Sequence, residues 1–289
     1  MINGISGLKI LDNIKNMKIY VLGASGMLGK YVSTYFKTQK FNVVDINRDT
    51  LDASALTQVG LQAKLFHLGV EKDDVIINCM GTIKPRIDAL GDLNGILVNS
   101  VFPRLLANVS EAVGAHLIHP TTDCVYTGSK GSYNENDKYD VSDVYGMSKA
   151  MGEPNNCTVI RTSIIGEEVN QGRSLVEWVK SSANTTVNGF TNHFWNGVTC
   201  LQFAKVCEEI INSDNFWTGI KHIHSNTLNK QELVQTISDV YGLNITVTPV
   251  ETPVSCDRSM STIYDTGIIV PTLKQQIEEM KEFSKILYS

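Results

Sequence analysis

The sequence predicts an α/β chain built on a Rossmann-type, doubly wound parallel sheet with a smaller C-terminal lobe. Three observations predict it. Short apolar runs of strand length alternate with stretches of helical spacing, the pattern of βαβ units with right-handed crossovers. The first run ends in Gly23-Ala-Ser-Gly26-Met-Leu-Gly29, a glycine loop that follows a strand and opens a helix. Further on, a run at 115–119 leads into a polar segment and then into a helical stretch carrying Tyr145 and Lys149.

Residues 18–22 (Lys-Ile-Tyr-Val-Leu) form the first strand, and the helix after the glycine loop is expected to reach about Lys37. A second strand is expected at 42–46, a helix at 53–68 and a third strand at 74–79. A helix through about 93–113 leads to the strand at 115–119, and a polar loop runs from Thr127 to Asp143. After the Tyr145 helix comes a strand at 157–162. Beyond about Arg161 the rhythm changes. Helices are expected at 174–183, 200–212, 229–241 and 272–286, with short runs at 220–224 and 245–249 between them. Asn229-x-x-Glu232 has the form of a capping box.

This rhythm divides the chain into three parts: an accessory extension (1–16), a dinucleotide-binding domain (17–165), and a mainly substrate-binding lobe (166–289) that is free to return to the first domain. No internal repeat or low-complexity segment interrupts it. The 289 residues leave ample room for a buried core, and 42% hydrophobic content is that of a globular chain. A net charge of -5 without a basic run argues against a nucleic-acid surface. The six cysteines show no CxxC pair and no metal-finger spacing, so a reducing, cytoplasmic compartment is expected and no metal. His222 and His224 alternate along a strand pattern without a third ligand. No stretch approaches the ~18 apolar residues of a membrane span, and the N-terminus lacks the apolar core of a signal peptide.

In the glycine loop, Gly23 allows the tight turn, Gly26 the close approach of a pyrophosphate, and Gly29 close helix–strand contact. Ser25, Met27 and Leu28 complete the cofactor-binding set there. Coenzyme choice is argued both ways. Asp45 stands where an acidic residue takes the 2′-hydroxyl of NADH, whereas Arg48 suits the 2′-phosphate of NADPH. Arg48 and Asn47 lie in the loop beyond the strand, which favours NADPH with NADH left open; Asp52 is counted with them.

Thr122 lies at the C-terminal end of a predicted parallel strand, where an open α/β sheet places ligands, and Tyr145 follows 23 positions later. Both hydroxyls can bond one carbonyl oxygen. Tyr145 would supply a proton while hydride adds, and Lys149, at i+4 on the same helix face, would favour the ionised phenol and hold the nicotinamide ribose.

These residues resemble the extended short-chain dehydrogenases/reductases, and within them the dTDP-4-dehydrorhamnose reductase branch. The matching segments are residues 23–29, Asn-Arg-Asp (47–49), Thr-Thr-Asp-Cys-Val-Tyr-Thr-Gly (121–128), Val-Tyr-Gly-Met-Ser-Lys-Ala-Met-Gly-Glu (144–153) and Ile-Arg-Thr-Ser-Ile-Ile-Gly (160–166). The resemblance covers nearly the whole chain from Met17 and is strongest before about residue 200. It implies NAD(P)H-dependent reduction of the C4 ketone of a nucleotide-linked 4-keto-6-deoxyhexose, with Thr122, Tyr145 and Lys149 as the catalytic triad. The product would be a 6-deoxy-L-sugar nucleotide such as UDP- or dTDP-L-rhamnose, as used in polysaccharide biosynthesis.

Position 124 departs from part of the family. Related dehydratases carry an acidic residue there and typical rhamnose-forming reductases a bulky aromatic. GDP-fucose synthase and the plant bifunctional UDP-rhamnose enzymes carry a cysteine, as this chain does. The resemblance therefore implies Cys124 as a base or acid for 3,5-epimerisation, since a partly ionised thiol can exchange hydrogens acidified by the C4 carbonyl. An unreactive, pocket-shaping cysteine is the open alternative. His193, Lys180 and His119 are candidates for the opposite-face proton source.

Asp123 and Cys124 are expected to touch substrate, as are His193 and Trp195 in a loop spanning 188–198. Arg258 suits a diphosphate. Asn78 and Asn99 are expected to organise loops. Two other functions stay open: a non-catalytic NADP-binding regulatory subunit and a nucleotide-sugar C4 epimerase. The partner expected is a nucleotide sugar; a homodimer remains open.

Overall fold

Lys18–Leu22 (β1) is buried from its second residue onward, as a parallel strand must be when both faces of its sheet are covered. The computed structural model describes residues 17–168 and 174–288, so the expected extension over 1–16 lies outside the described residues. Four strands follow in chain order: β2 (Asn42–Ile46), β3 (Val75–Asn78), β4 (His116–Thr121) and β5 (Thr158–Arg161). With Gly219–His222 they make a six-stranded sheet in the order Gly219–His222, β5, β4, β3, β1, β2. The pairings of β1 with β2, β1 with β3 and β3 with β4 are parallel. The order reverses between β1 and β3, and open α/β sheets bind ligands beyond the strand ends at such a reversal.

The core under this sheet gathers Tyr20, Leu22, Ile76, Phe102, Leu106 and Val159, each at most 1% exposed. Each such side chain contributes about 1.5–3 kcal/mol through burial. The Tyr20 phenol is affordable there because its hydroxyl donates to the Gly69 carbonyl at 2.7 Å.

Two expected helices are redrawn. The one predicted over 53–68 runs Gln58–His67, because the Thr57 side chain accepts from Gly60 N and caps it there. The one predicted over 93–113 is broken into Asp92–Ile96, a π-turn at Leu97–Val101 and Phe102–Val113.

The chain divides into two compact units, each discontinuous in sequence. One runs through Pro120 and adds Met147–Ile160 and Ala204–Ile220; the other holds Thr121–Gly146, Arg161–Phe203 and the chain from Lys221 on. The four later helices form at Leu175–Ser181, Cys200–Asn212, Lys230–Tyr241 and Leu273–Leu287. The capping box is complete: Asn229 Oδ1 accepts from Glu232 N at 2.9 Å, and Glu232 Oε2 accepts from Asn229 N at 2.8 Å.

In the second unit the loop expected over 188–198 is largely strand. Thr186–Phe190 pairs in parallel with Thr246–Val250. His193–Trp195 lies between Leu228–Asn229, antiparallel, and Cys256–Asp257, parallel. These partners lie far off in sequence, so no local periodicity discloses them. The strand alternation expected to include His224 also ends early, at His222.

Candidate active site

The helix Met27–Thr38 begins at Gly26 with no side-chain cap and no acidic residue in its first turn. Its leading N–H groups are therefore free to receive an anion, which the helix dipole favours. Gly23 has φ +78°, and a Cβ on Gly29 would overlap the Gly23 carbonyl oxygen. Both positions need glycine for this loop to close. Met27 and Leu28, half-buried, open the helix.

A groove at the sheet reversal is lined by Gly23, Ser25, Gly26, Arg48, Asp52 and Arg86, among others. The Asn47 carbonyl accepts from the N–H groups of Thr50 and Leu51, closing the turn that carries Arg48. Asp45 is held by Ser33 Oγ at 2.6 Å and Lys37 Nζ at 2.5 Å, so its carboxylate is engaged by the helix Met27–Thr38. Asp52 takes hydrogen bonds from the Ser54 hydroxyl and N–H, and Arg48 Nε stands 3.5 Å away. Ser54 foremost, then Arg48, holds the Asp52 carboxyl below its ordinary range. The glycine cradle and these arginines fit a dinucleotide.

The loop after β3 is fixed from behind. Asn99 Oδ1 accepts from Thr82 N at 2.8 Å, while Asn99 Nδ2 donates to the Thr82 carbonyl at 2.9 Å and to Ser148 Oγ at 3.1 Å. Asn99 sits in the π-turn, a distortion frequent at functional sites. A Cβ on Gly152 would overlap the Asn99 carbonyl oxygen, so the close approach of these two segments also depends on glycine.

Lys149 is buried, at 8% exposure, and its Nζ donates to the Pro120 carbonyl at 3.3 Å. Burial brings its pKa down to about 8 against the pull of Glu153. His119 Nδ1 meets the Asn78 amide nitrogen at 3.1 Å. Burial, then Lys149, holds the His119 pKa well below its ordinary value, so the ring is neutral. It accepts at Nδ1 and bears its proton on Nε2. Asn78 Oδ1 accepts from Met80 N.

In the second unit, Thr122 caps the short 3-10 turn Asp123–Val125. Its Oγ1 accepts from Cys124 N and donates to Asp123 Oδ1, both at 3.1 Å. Tyr145 opens the helix Val144–Met151, one turn before Lys149, with Asp143 Oδ1 accepting from Gly146 N. Burial raises the Tyr145 pKa, as do Cys124 and nearby carboxylates, while a side-chain hydrogen bond with Thr122 pulls it down. The phenol keeps its proton at neutral pH. Cys124 is half-buried, with Arg258 Nη1 at 3.6 Å from its sulfur. Burial and then Asp123 push the thiol up to about 12, with Arg258 acting against them. This setting disfavours the partly ionised Cys124 that the resemblance implied and suits the open alternative of an unreactive, pocket-shaping thiol.

The family model for the RmlD substrate binding domain matches residues 17–279. The chain belongs to this family. Among its relatives, methionine adenosyltransferase 2 subunit beta of Pongo abelii is 26% identical over 259 residues, covering 80% of this chain and 74% of that protein. The dTDP-4-dehydrorhamnose reductase of Streptomyces griseus is 29% identical over 151 residues, covering 50% of this chain and 48% of that one. The crystal structure of dTDP-4-dehydrorhamnose reductase from Bacillus anthracis in complex with NADP superposes with a TM-score of 0.76 at 18% identity, covering 92% of this chain and 99% of that chain.

Within this RmlD-family chain, the expected substrate residues have distinct settings. His193 Nε2 lies 2.8 Å from Thr252 Oγ1. Trp195 is only 4% exposed and is covered by Lys230, whose Nζ sits 5.4 Å from the ring centroid; little of the indole is left for a ligand. Lys180 pairs with Glu167 and Glu177. Lys230 is the residue that sequence reasoning missed. Burial lowers its pKa, while Asp123 and Cys124 act to raise it, which puts a second cation in the surroundings of Arg258 and Cys124. Its only sequence signal was a basic residue directly after the Asn229 cap. Among the described residues no His, Cys, Asp and Glu group could hold a metal ion, and no helix is long and apolar enough to cross a membrane.

Proposed function

We propose that the chain reduces the C4 ketone of a nucleotide-linked 4-keto-6-deoxyhexose, with NADPH as the favoured reductant and NADH also accepted. The observation that carries this reading is Tyr145, which shares a side-chain hydrogen bond with Thr122 and stands one helical turn before the buried Lys149. Gly23, Ser25, Gly26, Met27, Leu28 and Gly29 would hold the dinucleotide, together with Asn47, Arg48 and Asp52. When bound, it supplies hydride to the carbonyl carbon. Thr122 and Tyr145 hydrogen-bond the ketone oxygen, and the protonated phenol donates to the developing alkoxide. Lys149 would stabilise the phenolate left after that donation, easing the proton's transfer, and would orient the ribose. The activity of family members supports the substrate class, with Asp123, Cys124, His193 and Arg258 as candidate contacts; Trp195, expected from sequence to touch substrate, is instead packed under Lys230.

The thiol at about 12 favours reduction without 3,5-epimerisation. Turnover in deuterated water tests both steps. Ketone loss with NADPH consumption supports the reduction. Deuterium at C3 or C5 above a control without enzyme would restore Cys124 as an exchange base.

A second reading is a dinucleotide-binding subunit of another enzyme. It is favoured by relatives that align over most of the chain and are beta subunits of methionine adenosyltransferase 2. In that case NADPH binds and no sugar nucleotide is turned over. A C4 epimerase would recycle its coenzyme rather than consume it.

A further inference from the structure

We propose that Arg86 sets the coenzyme preference of the glycine-loop groove by binding the 2′-phosphate of NADPH. The proposal rests on the dinucleotide reading of that groove. Arg48, the arginine on the β2 side, faces Asp52 across 3.5 Å. Two Ser54 hydrogen bonds keep Asp52 in place as an acceptor. Taken alone, this pair is electrically neutral and offers a carboxylate, the group that accepts from a ribose hydroxyl and repels a phosphate. It would select NADH as readily as NADPH.

Arg86 changes that balance. It lines the same groove from a different segment, the short helix Lys84–Leu90 beyond β3. Among the described residues its guanidinium makes no ion pair, so the groove keeps one positive charge in excess of Asp52. A phosphate monoester carries about two negative charges at neutral pH, and a guanidinium fork matches its oxygens. The backbone that carries Arg86 is well placed to hold it. Ile87, 2% exposed, anchors the helix into the core, and Asn99 clamps Thr82 just upstream from both sides.

Equilibrium titration of NADPH and NADH against the full chain tests this, read by intrinsic tryptophan fluorescence and checked by calorimetry. Arg86→Ala is expected to weaken NADPH binding by about tenfold or more, the scale of a lost charge-assisted hydrogen bond, and to change NADH binding by less than about twofold. Arg86→Lys should recover part of the NADPH affinity, and its thermal midpoint should match the wild type. Equal weakening of both coenzymes, or an unchanged NADPH affinity, would overturn the proposal. Wild-type protein that binds neither coenzyme would overturn the dinucleotide reading itself, a result distinguishable from a failure at Arg86.

Discussion

Arg258 reaches Cys124: its Nη1 lies 3.6 Å from the thiol sulfur. The contact opposes the burial and the Asp123 charge that drive the thiol to about 12. Cys124 is therefore expected to alkylate slowly near neutral pH, with a rate that climbs with pH to well above 9. Arg258→Ala should slow it severalfold further, and Asp123→Asn should speed it. Mass spectrometry of the Cys124 peptide after timed iodoacetamide treatment checks both; a fast reaction at pH 7 would mean the thiolate is already formed.

Lys149 carries the stability cost of a buried charge. Its folded pKa of about 8 lies below the ordinary 10.5, so unfolding takes up a proton between those pH values and stability rises across that window. Below about 8 the lysine is charged in both states and the cost is fully present. At pH 7, Lys149→Met is expected to stabilise the fold by about 3 kcal/mol, at 1.36 kcal/mol per pKa unit. The gain should vanish above about pH 10.5, while reductase activity is lost at every pH. Urea midpoints across this range decide it, and a destabilised variant at pH 7 would contradict the buried-charge account.

Gly152 should tolerate no side chain, because a Cβ there would overlap the Asn99 carbonyl oxygen. Gly152→Ala is expected to cost more than about 2 kcal/mol. It should also weaken dinucleotide binding, since Asn99 holds the Thr82 loop. Unchanged denaturation and coenzyme affinity would show that the segments separate without penalty.

The Asn229–Glu232 capping box should be worth about 1 kcal/mol, the usual loss when such a cap becomes alanine. Asn229→Ala is expected to lower the urea midpoint correspondingly without altering the far-UV spectrum.

The parallel sheet was legible in sequence because β1 and β3 are buried apolar runs with helical stretches between the strands. The glycine loop was legible because Gly23 and Gly29 answer a local steric demand. Thr57 shows the limit of such signals. A hydroxyl between Leu56 and Gln58 gave no warning that the helix would start there rather than at 53. The strands at 186–190 and 193–195 were hidden because their partners lie near residues 250 and 256. Lys230 was invisible as a site residue for the same reason, since tertiary packing alone gives it Trp195, Asp123 and Cys124 as neighbours. The protonation of Cys124 follows from burial, which residue order does not encode.

Tyr145 as proton donor is the central claim, and turnover of a UDP- or dTDP-linked 4-keto-6-deoxyglucose with NADPH tests it most directly. Wild-type protein is expected to consume NADPH in step with loss of the ketone. Tyr145→Phe should lower kcat by about 100-fold or more while binding NADPH with unchanged affinity. Equal turnover by the two proteins would contradict the account, as would a wild type that binds NADPH tightly and reduces neither sugar.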